Sequence, residues 1–241
     1  MDNLDKVNPK LKIFFPVVRG LAKILGKDYE VNLHDVSMLE HSLVLCENGY
    51  VTGRMPGGPM TDFGLFMLQS EQYKDKDGVY NYLAKNNRGE LIKCSAMFIR
   101  DEDEKIIGFL CINYDIKKAV AARELIDSLL HLDMQDLGEF SQEPGYEPLT
   151  QERSFPAPMK EWFAKDLDDV VIDALAQVKE KAHKPLSEMN KAEKKEVIRE
   201  LRDKGFFRLK SSVEKVAQEM GNTKYTIYSY IRAVEAAEEE K

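Results

Sequence analysis

Residues 213–232, VEKVAQEMGNTKYTIYSYIR, have the spacing of two short helices joined by a tight turn. Ala217 is the small residue that a first helix needs where a second helix crosses it, and Gly221 follows four residues later. Glycine adopts positive φ at low cost, so it suits the turn. Ile227 and Tyr230 then recur at a spacing that turns both side chains back toward the first helix. This stretch therefore predicts a helix-turn-helix unit.

Such a unit, at about residues 210–236, would bind DNA by placing the start of its second helix in the major groove. Hydroxyl side chains there can contact bases or phosphates, cationic side chains can neutralise phosphates or bind guanine, and tyrosines can contact sugars or thymine methyl groups. An ordinary helical hairpin with a charged surface is the alternative interpretation. The positions expected to contact DNA are Thr223, Lys224, Tyr225, Tyr228, Ser229 and Arg232.

Charge is unevenly distributed along the 241 residues. The net charge is −7, yet residues 184–235 contain twelve Lys and Arg against eight Asp and Glu, which leaves −11 for the remainder of the chain. An acidic body with a basic end is typical of a sensor joined to a DNA-binding domain. Because the local excess is small, we expect a homodimer or higher homo-oligomer to gather enough contacts with the phosphates of double-stranded DNA.

Composition excludes several other classes of protein. With 43% hydrophobic and 32% charged residues, the chain is expected to be globular rather than disordered. No apolar run approaches the roughly 18 residues of a membrane span, so no membrane partner is expected. The amino-terminal sequence MDNLDKVNPK lacks the order of a signal peptide. The three widely separated cysteines, Cys46, Cys94 and Cys111, predict reduced thiols and a cytoplasmic location.

The first half of the chain has the pattern of an α+β domain. A helix is predicted within residues 11–25, and a second one begins after Thr61, which can cap it. These segments and the strands together predict an antiparallel sheet of about five strands with helices on one side. The candidate strands are residues 29–34, 42–47, 79–83, 91–100 and 106–114.

Proline content divides the chain into domains. Four prolines lie between residues 138 and 159, among glycine, serine and glutamate, and this composition is typical of an extended linker. Only helical patterns follow it. We therefore expect an N-terminal domain at residues 1–132, a linker rich in Pro, Gly and Glu at 133–164, and an all-α DNA-binding domain at 165–241.

Three segments together resemble one known family, the YheO-like bacterial transcription regulators. The PAS-like domain of that family resembles residues 52–68, TGRMPGGPMTDFGLFML, and 93–116, KCSAMFIRDEDEKIIGFLCINYDI. The family's helix-turn-helix resembles residues 224–232, KYTIYSYIR. The similarity spans nearly the whole chain apart from the linker and the last few residues. It implies a cytoplasmic DNA-binding regulator with a PAS-like sensor domain at 1–132, in a family that includes a repressor of D-arginine utilisation.

A PAS-like sheet curls around a cavity, so its inward residues are candidates to bind a small-molecule effector. Arg54 near a helix start suits a carboxylate and Asp62 suits an amine, so an amino-acid-like effector would use both. Asn113 lies in an apolar strand and needs a partner. In the alternative interpretation, Thr61 and Asp62 only cap the helix, Arg54 is a surface residue and the apolar candidates are core. The candidates are Arg54, Thr61, Asp62, Phe63, Cys94, Met97, Cys111 and Asn113.

The leading hypothesis is a sequence-specific transcription regulator whose PAS-like domain senses a small metabolite and modulates DNA binding. The alternative is that the PAS-like domain only dimerises or binds another protein, without a ligand. The helix predicted at residues 118–131 is a candidate dimer interface, unless it packs on its own sheet. No enzyme is expected, because no nucleophile and base are recognisable. Neither metal-ligand spacing nor a phosphate-binding glycine loop is present, so no metal and no cofactor are expected.

Overall fold

The computed structural model describes residues 6–129, 161, 163–164, 166–209 and 211–239. The strands are β1 Tyr29–Asp35, β2 Leu43–Glu47, β3 Gly78–Lys85, β4 Leu91–Arg100 and β5 Ile106–Asp115. The helices of the N-terminal domain are α1 Phe15–Leu25, α2 Asp62–Gln69 and α3 Lys117–Leu129. Those of the C-terminal domain are α4 Leu167–Lys181, α5 Lys191–Asp203, α6 Ser212–Glu219 and α7 Lys224–Glu239. Short 3₁₀ segments occupy Pro9–Phe14, Val36–His41, Glu71–Tyr73, Leu186–Glu188 and Phe206–Arg208.

The five strands form one antiparallel sheet in the order β2-β1-β5-β4-β3. β1 is therefore an interior strand, paired with β5 over its full length, from Tyr29 opposite Tyr114 to Asp35 opposite Gly108. The α+β class and the five-stranded antiparallel sheet expected from the sequence are confirmed. The interior position of β1 matters for the site, because both faces of an interior strand can be covered.

The two faces of the sheet differ in chemistry. On one face Val31, Leu33 and Leu110 form an apolar cluster with Val18 of α1. Consecutive residues of a strand point to opposite faces. The alternate positions of β1 carry the buried polar residues Glu30, Asn32 and His34. This second, polar face of the sheet lies toward α2.

A β-bulge redirects the side chains of edge strand β3. The register against β4 shifts between Val79 and Tyr82, and Asn81 has a φ of 58°. Tyr80 is consequently 52% exposed, whereas the ring of Tyr82 meets Phe63 of α2 edge-on, with 5.1 Å between the ring centroids. The bulge thus places one tyrosine over the polar face of the sheet.

Helices α4 to α7 enclose a core of their own. Its fully or almost fully buried members include Val171, Ile198, Leu201, Met220 and Ile227. Burying each such side chain contributes roughly 1.5–3 kcal/mol. Neither these helices nor any other in residues 6–129 and 161–239, apart from the gaps at 162, 165 and 210, could span a membrane.

The two domains share one apolar cluster. Phe63 and Leu65 of α2 belong to the same cluster as Val170 and Ala174 of α4. Gly205, in the turn after α5, has a φ of 73°, and a Cβ there would lie 2.6 Å from the carbonyl oxygen of Leu65. Only glycine fits this approach without a shift of backbone. The helical domain therefore packs directly on α2.

Candidate DNA-binding helix and ligand cavity

The turn between α6 and α7 has the geometry that the sequence spacing predicts. Gly221 has a φ of 62°, and Ala217 is buried where the helices meet. Thr223 caps α7, since its Oγ1 accepts a hydrogen bond from the backbone N–H of Thr226 at 3.2 Å. Ile227 is fully buried and docks α7 on the core.

A buried lysine holds this turn in place. Lys194 of α5 is 8% exposed, and its Nζ donates to the carbonyl oxygen of Met220 at 2.7 Å and to Oδ1 of Asn222 at 2.8 Å. The Met220 carbonyl lies at the C-terminal end of α6, where a cation is favoured because the last carbonyls lack intrahelical partners. Sequence reasoning missed this residue, because residues 191–195 contain three lysines and nothing in the pattern distinguishes the one that faces the turn.

All six residues expected to contact DNA are exposed. Tyr225 is 86% and Tyr228 is 48% exposed. Because helical residues three and four apart share a face, these positions form one surface along α7 and its cap. Lys224 pairs with Glu214 of α6 at 2.9 Å, with both side chains more than half exposed. An exposed pair of this kind contributes about 1 kcal/mol or less, so a phosphate can take the place of the carboxylate.

A cavity of about 20 Å³ lies between the polar face of the sheet and α2. It has room for about one water molecule. Tyr82 and Phe109 contribute aromatic surface to its wall. Its polar lining includes Asn32, His34, Arg54, Thr61, Asn113 and Glu161.

Beneath the cavity, a buried carboxylate organises the polar face. Oε1 of Glu30 accepts from Nδ2 of Asn32 at 2.8 Å and from Nδ2 of Asn113 at 2.9 Å. Oε2 accepts from Oγ1 of Thr52 at 2.7 Å and from its backbone N–H at 3.1 Å. Burial raises the pKa of Glu30, and these hydrogen bonds act in the opposite direction. Glu30 is thus the partner that Asn113 required.

The end of the expected linker lies against this site. Of residues 133–164, the structure describes Glu161, Phe163 and Ala164, which are 8%, 2% and 1% exposed. These three residues are called the plug below. Glu161 and Phe163 form part of the cavity wall, so the plug is packed rather than extended in solvent.

The N-terminal domain supplies the donors that hold the plug. Thr61 caps the start of α2, Arg54 lies in the loop before it, and Asn87 follows β3. The contacts are Thr61 Oγ1 to Glu161 Oε1 at 3.0 Å, Arg54 Nε to the Ala164 carbonyl at 3.2 Å, and Asn87 Nδ2 to the Phe163 carbonyl at 3.0 Å. Arg54 also donates to the carbonyl oxygen of Pro59.

Burial governs the protonation of the ionisable groups here. It raises the pKa of Glu161 to about 7, helped by the negative charge of Asp62. It lowers the pKa of Arg54, while the negative charges of Glu30 and Glu161 act in the opposite direction. Burial, followed by the charge of Arg54, holds the pKa of His34 well below its usual range, so this imidazole is neutral.

Two acceptors at the cavity are left without donors. Asn32 Oδ1 and Glu161 Oε2 are buried, and neither has a hydrogen-bond partner in the part of the chain that the structure describes. A buried unpartnered acceptor costs roughly 1–3 kcal/mol. The docked plug therefore leaves the hydrogen bonding of this site incomplete.

Four of the eight residues expected to bind an effector lie in the cavity wall, namely Arg54, Thr61, Cys111 and Asn113. Met97 does not. It packs in the α1 cluster on the opposite face of the sheet, because it is one residue out of phase with Ala96.

The other three lie nearby but outside the wall. Asp62 lines a separate groove between α2 and α4, so the expected amine-binding role does not fall in the cavity. Phe63 packs against the rings of Tyr73 and Tyr82. Cys94 is fully buried in a small cluster beside Phe163. Phe63 and Cys94 are thus core residues.

Cysteine and metal chemistry are not evident at the site. Burial is the first cause that raises the pKa of Cys46, Cys94 and Cys111, so these groups are thiols near neutral pH. Among the residues described, no group of three His, Cys, Asp or Glu side chains lies close enough to hold a metal ion.

Sequence reasoning missed the polar side of β1 and the plug. The sequence of β1 alternates Glu30, Val31, Asn32, Leu33 and His34, which is also the pattern of a strand with one solvent-facing side. A strand in the centre of a sheet that helices cover on both faces has no solvent-facing side. This was the signal that could have identified Glu30, Asn32 and His34 as buried. Composition alone could not separate Glu161 from a solvated linker residue.

A five-stranded antiparallel sheet around a cavity, joined to a helix-turn-helix, defines a class of proteins that combine a PAS-like domain with a DNA-binding domain. Residues 5–131, just over half of the chain, match the family model of the YheO-like PAS domain. Residues 171–232 match that of an HTH domain. The chain therefore belongs to the YheO-like family, as the resemblance implied. Together the two domains suggest a DNA-binding regulator.

Related chains match over most of their length. YheO of Escherichia coli K12 is 28% identical over 222 residues, which cover 92% of this chain and 83% of that protein. An uncharacterised protein of Haemophilus influenzae Rd is 27% identical over 223 residues, 92% of this chain and 90% of its own length. A solved structure, described as "Flavin Analogue Sheds Light on Light-Oxygen-Voltage Domain Mechanism", is 14% identical, covers 49% of this chain and 97% of that chain, and has a TM-score of 0.32.

Proposed function

We propose that this protein is a sequence-specific transcription regulator whose PAS-like domain senses a small metabolite and thereby changes the affinity for DNA. The observation that supports it best is the exposed face of α7, held by a buried and capped turn. Tyr225 and Tyr228 are 86% and 48% exposed on this same face, and exposed aromatic side chains grouped beside charged ones are typical of a surface that binds a partner. We propose a regulatory and not a catalytic role for both domains.

DNA contacts divide by chemistry along α7. Lys224 and Arg232 would neutralise phosphates or bind guanine, Thr223 and Ser229 would bond to phosphate or base edges, and the tyrosines would contact sugar or thymine methyl groups. To bind a phosphate, Lys224 must first leave its ion pair with Glu214. Because salt screens the attraction between Lys224 and the phosphates, this exchange of partners favours DNA binding at low salt.

Fluorescence anisotropy with a duplex selected by the protein from a random pool tests this role. Arg232→Ala should weaken binding about tenfold and reduce the slope of log affinity against log salt by about 1. Lys23→Ala removes one exposed charge from α1, far along the sequence, and is the matched control. Equal loss in both variants would assign the effect to net charge and contradict the α7 surface.

A second candidate function has one observation in its favour. The cavity of about 20 Å³ is too small for a metabolite while the plug is docked, as expected if the PAS-like domain only binds proteins. Native mass spectrometry and thermal shift with a library of amino and carboxylic acids separate the two. A retained or stabilising small molecule supports sensing. A chain that no compound stabilises, and that instead pairs with a protein, supports the second candidate.

We also propose a homodimer that forms through α3, in the cytoplasm where DNA and reduced thiols coexist. Leu125, Ile126 and Leu129 are 61%, 55% and 76% exposed and lie on one side of α3. A second copy fits this side, because a palindromic operator requires two helix-turn-helix units. The last two residues of the predicted helix, 130 and 131, lie outside the described residues.

The oligomeric state in solution tests the α3 interface. Leu125→Lys should shift the mass measured by light scattering from dimer toward monomer. Glu124→Lys places a lysine on the other side of the same helix and should leave the mass unchanged. Two variants of identical dimeric mass would contradict this interface.

A further inference from the structure

The plug fills the place in which an effector would sit. Glu161 and Phe163 line the cavity, and the space left beside them holds about one water molecule, at about 20 Å³. The plug belongs to the same chain, and Arg54, Thr61 and Asn87 of the N-terminal domain donate hydrogen bonds to it. A larger molecule can enter only if the plug leaves.

We propose, on the basis of the ligand-responsive function above, that the effector is a small carboxylic acid that displaces the plug. The plug presents acceptors to the site: one carboxylate and two backbone carbonyls. Its departure leaves the Thr61 hydroxyl without the Glu161 oxygen and the Nε–H of the buried Arg54 without the Ala164 carbonyl, while Arg54 keeps the Pro59 carbonyl. A buried guanidinium N–H without an acceptor is costly, so a ligand that brings an acceptor favours the exchange. A carboxylate is the ligand group that best matches an arginine.

The same site indicates a second group on the effector. Asn32 Oδ1 faces the cavity and has no donor among the described residues. Its own Nδ2 is occupied by Glu30, so the side chain is fixed with its oxygen toward the cavity. A hydroxyl or amino group on the ligand would supply the missing donor. The effector class is thus a small carboxylic acid that also carries a hydrogen-bond donor.

The effect of displacing the plug would be transmitted to the DNA-binding domain along the chain, because the plug directly precedes α4. Ala164 lies three residues before α4, which starts at Leu167 and is capped by Asp166. The buried face of α4, with Val171 and Leu175, lies in the same cluster as Ala217 of the helix-turn-helix. A ligand that favours the undocked plug therefore acts on the position of α4, as a coupling between the two sites.

The only tryptophan, Trp162, lies between two plug residues in the sequence and reports on this segment by its fluorescence. The experiment titrates full-length Glu161→Ala with propionate, which resembles the removed side chain, and with propionamide as its neutral counterpart. Glu188→Ala, which removes an exposed glutamate, is the matched control. We expect propionate to change the emission of Glu161→Ala with a half-saturation concentration at least tenfold lower than for the wild type or the control. Propionamide should have no effect, and 3-hydroxypropionate should bind more tightly than propionate.

Equal responses to propionate and propionamide, or equal half-saturation in wild type and Glu161→Ala, would overturn the proposal. If Glu161→Ala does not fold, as judged by circular dichroism, Asn87→Ala takes its place. Asn87 is exposed and donates to the Phe163 carbonyl, so its loss loosens the plug without altering the cavity. We expect several-fold tighter propionate binding than in the wild type, and unchanged binding would count against a displaceable plug.

DNA anisotropy on the same samples separates this proposal from the proposed function. Saturable propionate binding that also changes DNA affinity supports both. Propionate binding with constant DNA affinity refutes the coupling to α4 and leaves the carboxylate site. Intact DNA binding without any propionate response refutes the plug and leaves the DNA-binding role.

Discussion

At the scale of single residues, two positions have unusual surroundings for their residue type: Gly221 in the turn and Glu161 in the plug. Each has a conformation or charge state that an ordinary surface residue would not adopt. Gly221 has a φ of 62°, and Glu161 is a carboxyl group that is 8% exposed. Both make predictions that a single substitution can test.

Gly221→Ala should lower the free energy of unfolding by about 1–2 kcal/mol, because a Cβ disfavours the left-handed conformation. Space is not the obstacle, since a Cβ there would meet only the Ser187 Cβ at 3.8 Å. Asparagine tolerates positive φ better than alanine, so Gly221→Asn should lower the free energy of unfolding by less. Chemical denaturation measures the difference, and an alanine variant as stable as the asparagine variant would contradict the argument.

The pKa of Glu161, raised from 4.5 to about 7, makes the docked plug sensitive to pH. The folded state holds a proton that the unfolded state has lost, so this stabilisation is complete below about pH 4.5 and is lost as pH rises through 7. Asp62 and Arg54 are the charged neighbours of Glu161. The other two ionisable groups of the cavity wall stay neutral near pH 7, because burial raises the pKa of Tyr82 well above 10.0 and lowers that of His34.

Glu161→Gln imitates the protonated acid and should remove this pH dependence. We expect equal unfolding midpoints for wild type and variant at about pH 4, and a variant more stable by about 1–3 kcal/mol at pH 8.5. Differential scanning fluorimetry across this range measures both. Parallel curves at all pH values would show that Glu161 does not titrate near 7.

At the scale of elements, close approach of backbones explains why the turn after α5 sits on α2. Gly205 has positive φ, and its missing side chain leaves room for the Leu65 carbonyl. The β-bulge at Asn81 acts similarly in β3, because it turns Tyr82 toward the cavity while Tyr80 stays exposed. Backbone geometry, rather than apolar pattern, sets both contacts.

Two Gly→Ala substitutions in different elements should have effects of opposite sign. Gly205→Ala should destabilise by about 1–3 kcal/mol, from strain at a φ of 73° and contact with Leu65. Gly20→Ala, inside α1 with nothing within 4 Å of the added Cβ, should stabilise by about 0.5–1 kcal/mol. Thermal and urea unfolding measure both, and a stabilised Gly205→Ala would disprove the close approach.

At the scale of the whole molecule, the apolar cluster that runs from α2 into α4 and the helix-turn-helix makes the two domains one packed unit. The plug adds a second connection, because Ala164 is bonded to Arg54 at one end and lies just before α4. A shared core gives each domain an influence on the stability of the other.

Full-length protein should accordingly unfold in a single cooperative transition. Far-ultraviolet circular dichroism, which reports mainly on helices, and Trp162 fluorescence, which reports on the plug, should have coincident midpoints in urea. Separate transitions would indicate that the domains unfold independently and that the shared cluster contributes little. Gly205→Ala should move the two midpoints apart if the α2 contact is what joins them.

The sequence by itself determined the α+β class, the five strands, the turn at Gly221 and the cap at Thr61, because these follow from local periodicity and from residues with special backbone preferences. It also carried the family resemblance, which the comparisons confirm. Only the tertiary structure decided which polar residues are buried. Asn32 and Glu161 look like solvated positions in the sequence, and Met97 looks like a cavity residue. Burial depends on the phase of a strand and on which distant segment covers it, and neither is a local property.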